Sequence, residues 1–442
     1  MDNSCPIAPG FIVAAPSSGS GKTTITMILI QGLKEKGLSL GTFKVGPDYI
    51  DPEFHKQIIG HDCYNLDLWA MTKHQIDKIL YNLSCENDLI IGEGVMGLFD
   101  NMSITQNSTA DVSLYTGLPI LLVIDGKGMG QSIAALIQGF LTYKKDLKIL
   151  GVIINNAKSD KHITIIKQAI DPLNIPIVGF IPYDEGIKIP SRHLGLHYDK
   201  KIDEDFLETL SKLGQNYIDF NLLQQLISNN SQTKKVQKKS NVFFNPWGQS
   251  VALAYDQAFS FVYPSMIHMW QDKGIEIKKF SPLNNEPPPN ADTIYLPGGY
   301  PELYLKELSN NYTFSEGLRK AAYKGLKIYG ECGGYMVMGR AIIDQHNNHY
   351  SMTGLFDNEF SFVEHKLHLG YRTVEICTDT IFGKKGTRFR GHEFHYANYV
   401  TYPQSNFLFQ SYDSYNKDLG LYGQCRGNIL GSFIHIIDRI DD

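Results

Sequence analysis

At 442 residues the chain exceeds the length at which one hydrophobic core keeps growing, so two domains are expected. Hydrophobic residues at 43% and charged residues at 20% exclude a disordered or fibrous chain, and a net charge of -5 excludes a global basic field for nucleic acid or an anionic membrane. No apolar run approaches membrane-spanning length, the start has no basic, long-apolar leader, and the six cysteines form no C-x-x-C pair or regular framework; a cytoplasmic protein that binds neither nucleic acid nor membrane is expected.

The first half repeats a short apolar run, a turn and a helical stretch. The runs "FIVAA", "LGTFKV", "LIIGEG", "ILLVID", "ILGVIIN" and "IPIVGFIP" suit strands of a parallel sheet buried on both faces, with "KTTITMILIQGLKEKG" and "GQSIAALIQGFLTYKK" as covering helices. A helical region is expected from about Asp203 to Ser228, followed by the polar, Lys-rich "SNNSQTKKVQKKSN". The expected organisation is therefore a first domain at 1–228, a linker at 229–246 and a second α/β domain at 247–442. The second domain restarts strand-and-turn patterning at "SVALAYD", "IEIKKF", "TIYLPGG" and "KIYGECGG", and turns β-rich near "YRTVEICT" and "EFHYANYV".

"FIVAAPSSGSGKTTITMIL" reads as strand, glycine loop, helix, the setting a phosphate-binding loop requires. Gly19 and Gly21 let the backbone approach phosphate oxygens, with Ser18, Ser20 and Thr24 in the same loop and helix start. Lys22 supplies a mobile charge, and the Thr23 hydroxyl can sit on Mg²⁺. Pro16 stands where the usual pattern has its first glycine. Beyond two further strand ends lie Lys44, Asp48 and Asp51 in "FKVGPDYIDPEFH", and Glu93 and Asp100 in "LIIGEGVMGLFD". Ligands collect past the carboxyl ends of such strands, so these acids can converge on the same cation; turn chemistry is the alternative for Asp51 and Asp100. Asp48 and Glu93 are read as metal ligands with Thr23. Asp125 ends another strand, and Asn155 stands where a nucleotide base is often read, or else serves as a cap.

In the second half, "KIYGECGGYMVMG" places Cys332 on a strand-turn-helix elbow that exposes a nucleophile. His435, in the apolar C-terminal run "ILGSFIHIID", is the candidate base. Gly298 and Gly299 of "LPGGYPELY", with Gly333, can supply oxyanion-binding amides. "RGHEFHYA" adds a polar cluster of Arg390, His392, Glu393 and His395, read either as substrate contacts or as a satisfied strand. A thiol, a histidine and an oxyanion hole can release ammonia from glutamine, and a phosphate-binding loop with Mg²⁺ can phosphorylate a carboxylate; together they make an amide.

On the motifs "APSSGSGKTT", "KVGPDYIDPEFH", "EGVMGLFD", "STADVSLYTGLPILLVID", "PSRHLGL", "DQAFSFVYP", "LPGGYPELY", "GECGGYMVMG", "RGHEFHYA" and "GSFIH", the sequence resembles the cobyrinic acid a,c-diamide synthase family over nearly its full length. The resemblance implies an α/β fold of two parts: a phosphate-loop, dethiobiotin-synthetase-like parallel-sheet domain and a class I glutamine amidotransferase-like domain. It implies ATP and Mg²⁺ on Ser18–Thr24, Asp48 and Glu93, with Tyr49, Lys44, Asp100, Arg192 and His193 near substrate or nucleotide. It implies Cys332 and His435 as the glutaminase pair, and amidation of the a and c acetates of a tetrapyrrole through an acyl phosphate. Related amidotransferases often carry Glu two residues after this histidine; here Ile437 stands there, so a third member is absent or supplied elsewhere. Val262 in "AFSFVY" is a further departure. Nickel-sirohydrochlorin a,c-diamide synthase and cobyric acid synthase remain alternatives of the same architecture. A phosphate-loop switch ATPase is the alternative of another class, and homodimerisation is open.

Overall fold

The computed structural model describes residues 4–101, 103, 107–184, 202–230, 234–237, 248–364 and 366–440. The chain divides into two compact units, the first running to residue 240 and the second from residue 241 and including Trp69–Thr72.

The first unit is built on a seven-stranded, wholly parallel sheet in the order Tyr64–Leu66, Leu40–Val45, Leu89–Glu93, Gly10–Ala14, Ile120–Asp125, Ile149–Ala157, Ile177–Pro182. Phe11, Ile12, Val13 and the apolar side chains of Ile120–Ile124 have no exposure, as expected for strands covered on both faces. Each such side chain contributes roughly 1.5–3 kcal/mol by leaving water. The same burial makes an unpaired charge in these strands very costly, so Lys44 and Glu93, directly opposite one another on neighbouring strands, need partners. The helix Lys22–Glu35 begins after Gly21, whose φ of 90° is left-handed, and buries Ile25, Met27, Ile28, Leu29, Ile30 and Leu33.

Two local features differ from the sequence reading, and each has a hydrogen-bonding cause. The helical region after Asp203 is two helices, Glu204–Tyr217 and Phe220–Ser228. Ile218 between them is extended and bridges Gly179 of the sheet, while the Asp219 side chain accepts from Leu222 N and starts the second helix. Within the segment read as a linker, Lys235–Gln237 forms an antiparallel pair with Ser4–Pro6.

The second unit has a six-stranded sheet in the order Glu276–Phe280, Ser250–Ala254, Thr293–Leu296, Lys327–Glu331, Ile429–Ser432, Gln424–Arg426; the last strand is antiparallel and the rest are parallel. A five-stranded antiparallel sheet, Asp418–Tyr422, Phe409–Asp413, His368–Ile376, Arg388–His395 and Ile434–Ile440, accounts for the β-rich patterning near the end of the chain. The strand Lys327–Glu331 runs into the helix Gly333–Met338 through Cys332. No described helix is long and apolar enough to cross a membrane.

Candidate active site

The glycine loop lies past the carboxyl end of Gly10–Ala14, whose two neighbours in the sheet are Leu89–Glu93 and Ile120–Asp125. Ser17, Ser18 and Gly19 are exposed at its rim, and Gly19 has a φ of 81°. Asn155 Nδ2 donates to Ser20 O at 3.1 Å, and a Cβ on Gly21 would fall 2.2 Å from that nitrogen, so Asn155 braces the loop and requires glycine there. Lys22 Nζ donates to Ser17 O at 3.1 Å and to Met96 O at 2.6 Å. Met96 has a φ of 50°, a conformation costly for a side-chain-bearing residue, and its carbonyl is one that receives the lysine.

Below the loop sits a buried charge cluster. Thr23 Oγ1 and Lys44 Nζ donate to Glu93 Oε1 at 2.7 and 2.8 Å, Lys44 Nζ is 2.6 Å from Asp51 Oδ2, and His55 Nε2 is 2.8 Å from Glu93 Oε2. Burial opposes the charge on Lys44, but Asp51, Glu93 and then Asp48 outweigh it and raise its ionisation above the usual lysine range. Burial likewise opposes protonation of His55, yet the adjacent Cys63 and Glu93 push it up to about 10. Lys44 and His55 thus face Glu93 and Asp51, with Asp48 a further acid close to Lys44.

Asp48 belongs to this neighbourhood, with Oδ1 accepting from Ile50 N at 2.9 Å and its main-chain oxygen held by Asn65. Tyr49 immediately precedes the helix Ile50–Ile59. Asp100 Oδ2 accepts from Gly97 N at 3.0 Å within a tight turn, and Asp125 Oδ1 accepts from Asn156 Nδ2 and Lys127 N, both at 2.9 Å. Thr24 lies in the first turn of the loop helix. Arg192 and His193 fall outside the described residues.

The folded-state value of His55 lies above the 6.5 of the free side chain, so its ion pair adds stability fully below pH 6.5 and loses it as pH rises through about 10. The melting temperature of the wild type is therefore expected to fall across that interval, and that of His55→Gln to fall less steeply from a lower start. Breaking the pair costs about 3–5 kcal/mol at neutral pH. Parallel slopes in calorimetry would remove the ion pair.

In the second unit Cys332 has φ 49° and ψ -107°, a strained strand-to-helix elbow of the kind that can expose a nucleophile. Its amide donates to Ser432 O at 2.8 Å, and its sulfur lies 3.8 Å from Phe394 O. Burial works against protonation of His435, but the Cys332 sulfur, with which it shares a hydrogen bond, and the Glu331 carboxylate push it up to about 10. A Cβ on Gly298 would lie 2.5 Å from His435 Cε1 and 3.4 Å from Cys332 Cβ, so only glycine leaves room between the pair. The Cβ position of Gly333 is 3.2 Å from Gly299 N, which brings the two amide-bearing glycine stretches together beside the sulfur.

Of the polar cluster, His392 stacks on His435 at 4.7 Å, and its Nδ1 is 3.3 Å from Tyr263 Oη. Burial, then the charge of His435, hold His392 neutral. Glu393 instead receives Arg372 Nε and Nη2 at 2.8 and 2.7 Å and pairs with His395 at 2.9 Å. Arg390 lies 5.0 Å from the Trp69 ring and donates to Trp69 O.

Residues 11–196 match the CobQ/CobB/MinD/ParA nucleotide binding domain, and residues 250–440 match the CobB/CobQ-like glutamine amidotransferase domain. The chain is 42% identical to the hydrogenobyrinate a,c-diamide synthase of Brucella anthropi, covering 97% of this chain and 98% of the relative. It is 38% identical to the synthase of the same name from Rhizobium meliloti over 97% and 99%, and 37% identical to that of Mesorhizobium japonicum over 98% and 99%. The chain belongs to the hydrogenobyrinate a,c-diamide synthase family. It is accordingly a glutamine-dependent amidating ligase with a nucleotide-binding domain.

The a,c-diamide synthase fold positions two groups that the motifs did not single out. His55 follows Asp51 by four residues on one helix, a spacing that puts both on the face turned to Glu93. Glu331 precedes Cys332 in "GECGG", and its Oε1 is 3.2 Å from His435 Nδ1. Its place beside the cysteine was visible in the sequence; the direction of its side chain depends on strand pairing.

Proposed function

We propose that this enzyme converts the a and c acetate carboxylates of hydrogenobyrinate or cobyrinate to amides, using ATP and the amide nitrogen of glutamine. The full-length identity to enzymes named for that reaction supports the substrate, and the Cys332–His435 pair beside Gly298, Gly299 and Gly333 supports the nitrogen source.

In the second unit His435 holds the thiol proton while the Cys332 sulfur attacks the glutamine side-chain carbonyl. Amides of Gly298, Gly299 and Gly333 receive the oxyanion. Collapse breaks the C–N bond, His435 protonates the leaving ammonia, and water then releases glutamate from the thioester. In the first unit the loop Ser18–Thr24 binds the phosphates of ATP and Lys22 follows the transferred group. A corrinoid carboxylate oxygen attacks the γ-phosphorus and ADP leaves; ammonia then attacks the acyl phosphate carbon, expelling phosphate and losing a proton.

Thr23 Oγ1 and the carboxylates of Glu93 and Asp48 are hard oxygen donors grouped beneath the loop, a set that fits Mg²⁺. When bound there, Mg²⁺ neutralises phosphate charge. Asn155 holds the loop open for the nucleotide, and Lys44 and His55 hold the Glu93 carboxylate in place.

Incubation with ATP, Mg²⁺, glutamine and either corrinoid is expected to yield the a,c-diamide, read by product mass. Amidation of nickel-sirohydrochlorin with neither corrinoid consumed would overturn the substrate assignment.

A further inference from the structure

The position where related amidotransferases carry their third catalytic acid, two residues after the histidine, is Ile437, which is 5% exposed. Between the strands Arg388–His395 and Ile434–Ile440 the pairing passes from Arg390↔Asp438 to Gly391↔Ile436. Ile437 is therefore the extra residue of a bulge, committed to apolar packing. His435 is nevertheless buried, and both the Cys332 sulfur and the Glu331 carboxylate push it toward protonation.

We propose that Glu331, the residue immediately before the nucleophile, is the positioning acid of the glutaminase site, fixing His435 with Nδ1 protonated and leaving Nε2 for the sulfur. This rests on the reading of Cys332 and His435 as a glutaminase pair. Glu331 ends the strand Lys327–Glu331, so it shares a sheet face with Tyr329 two residues earlier and with Tyr295, the residue opposite Tyr329 on the neighbouring strand. Tyr295 and Tyr329 stack at 5.5 Å with an 8° interplanar angle.

The carboxylate meets four donors. Oε1 receives Tyr295 Oη and His435 Nδ1, each at 3.2 Å, and Oε2 receives Tyr329 Oη at 2.8 Å and Ile436 N at 3.3 Å. Burial and then the charge of Glu331 keep both phenols neutral, hence donors. The two tyrosines and the Ile436 amide lock the carboxylate, and the locked carboxylate sets the tautomer of the histidine. The amide belongs to the residue that follows His435, so one carboxylate holds both the ring and its backbone. The acid has moved from the histidine strand to the nucleophile strand while its role is kept, because the triad depends on geometry and not on sequence position.

The test is Glu331→Gln in the full-length enzyme, which keeps the shape and an acceptor oxygen but not the charge. Glutamine-dependent kcat is expected to drop by about 10²–10⁴-fold with little change in KM for glutamine, while ammonia-dependent amidation keeps its rate. Without the carboxylate the protonated form of His435 is less favoured, so alkylation of Cys332 by iodoacetamide should move to higher pH. Glu331→Asp should recover part of both readouts, and Tyr329→Phe, which removes one lock, should shift both in the same direction by less. Unchanged glutaminase rate and an unmoved alkylation profile in Glu331→Gln, or in Tyr329→Phe and Glu331→Asp together should the glutamine variant not fold, would overturn the assignment. Loss of ammonia-dependent amidation in the wild type would instead count against the proposed function and leave this test readable from glutamate release alone.

Discussion

Cys332→Ala should lose glutamine-dependent amidation by on the order of 10⁴-fold or more while retaining amidation supported by free ammonia. The sulfur sits on a strained elbow and shares a hydrogen bond with His435, and Gly298 leaves room between them. In the proposed reaction, removing it deletes the thioester step that releases ammonia, whereas the phosphate loop and the Glu93 cluster belong to the first unit and are untouched. The assay compares amide formation with glutamine and with ammonium at a pH where free ammonia is present. Failure of ammonia to restore turnover, in a variant with an unchanged melting temperature, would mean that Cys332 does more than deliver nitrogen.

Glu93→Gln should abolish amidation with either nitrogen source while leaving glutamate release by the Cys332 site measurable. The loss should exceed the 10–100-fold typical of an outer partner of a metal, because Glu93 touches Thr23 directly. The substitution also leaves Lys44 and His55 facing a neutral amide, at a cost of about 3–5 kcal/mol to the fold. Thr23→Ala separates the two effects, since it removes a hydroxyl from the same site and leaves the pairing of Lys44, His55 and Glu93 in place. Robust turnover in both variants with either nitrogen source would remove the phosphate-loop assignment for this cluster.

The architecture was legible because the strands of the first unit are continuous apolar runs, and "LGTFKV" and "ILLVID" coincide with the strands Leu40–Val45 and Ile120–Asp125. The division of the long helical region was not, since it turns on Ile218 bridging Gly179, a contact remote in sequence. In the same way, Cys332 announces itself through its glycine neighbours, and Lys22 and Thr23 through the loop. The resemblance puts Lys44 near substrate or nucleotide; the residue in fact lies inside the strand Leu40–Val45, 2% exposed, with its ammonium held by Asp51, Glu93 and Gly94 O. A buried ion pair of that kind is set by cross-strand register, which no local motif encodes. Glu331 was hidden for the same reason. Its spacing from Cys332 says nothing of the two tyrosines that aim it at His435, one of them on another strand.

Coupling of the two chemistries is tested most directly by counting products in a single reaction with amide-¹⁵N glutamine, ATP and the corrinoid dicarboxylate-bearing substrate. Equal molar yields of glutamate, ADP and ¹⁵N-labelled amide are expected, with the label on the a and c side chains. Amide formed without ADP, or ADP formed in step with glutamate while the corrinoid stays unlabelled, would contradict the pairing of a glutaminase with an ATP-dependent amide ligase in this chain.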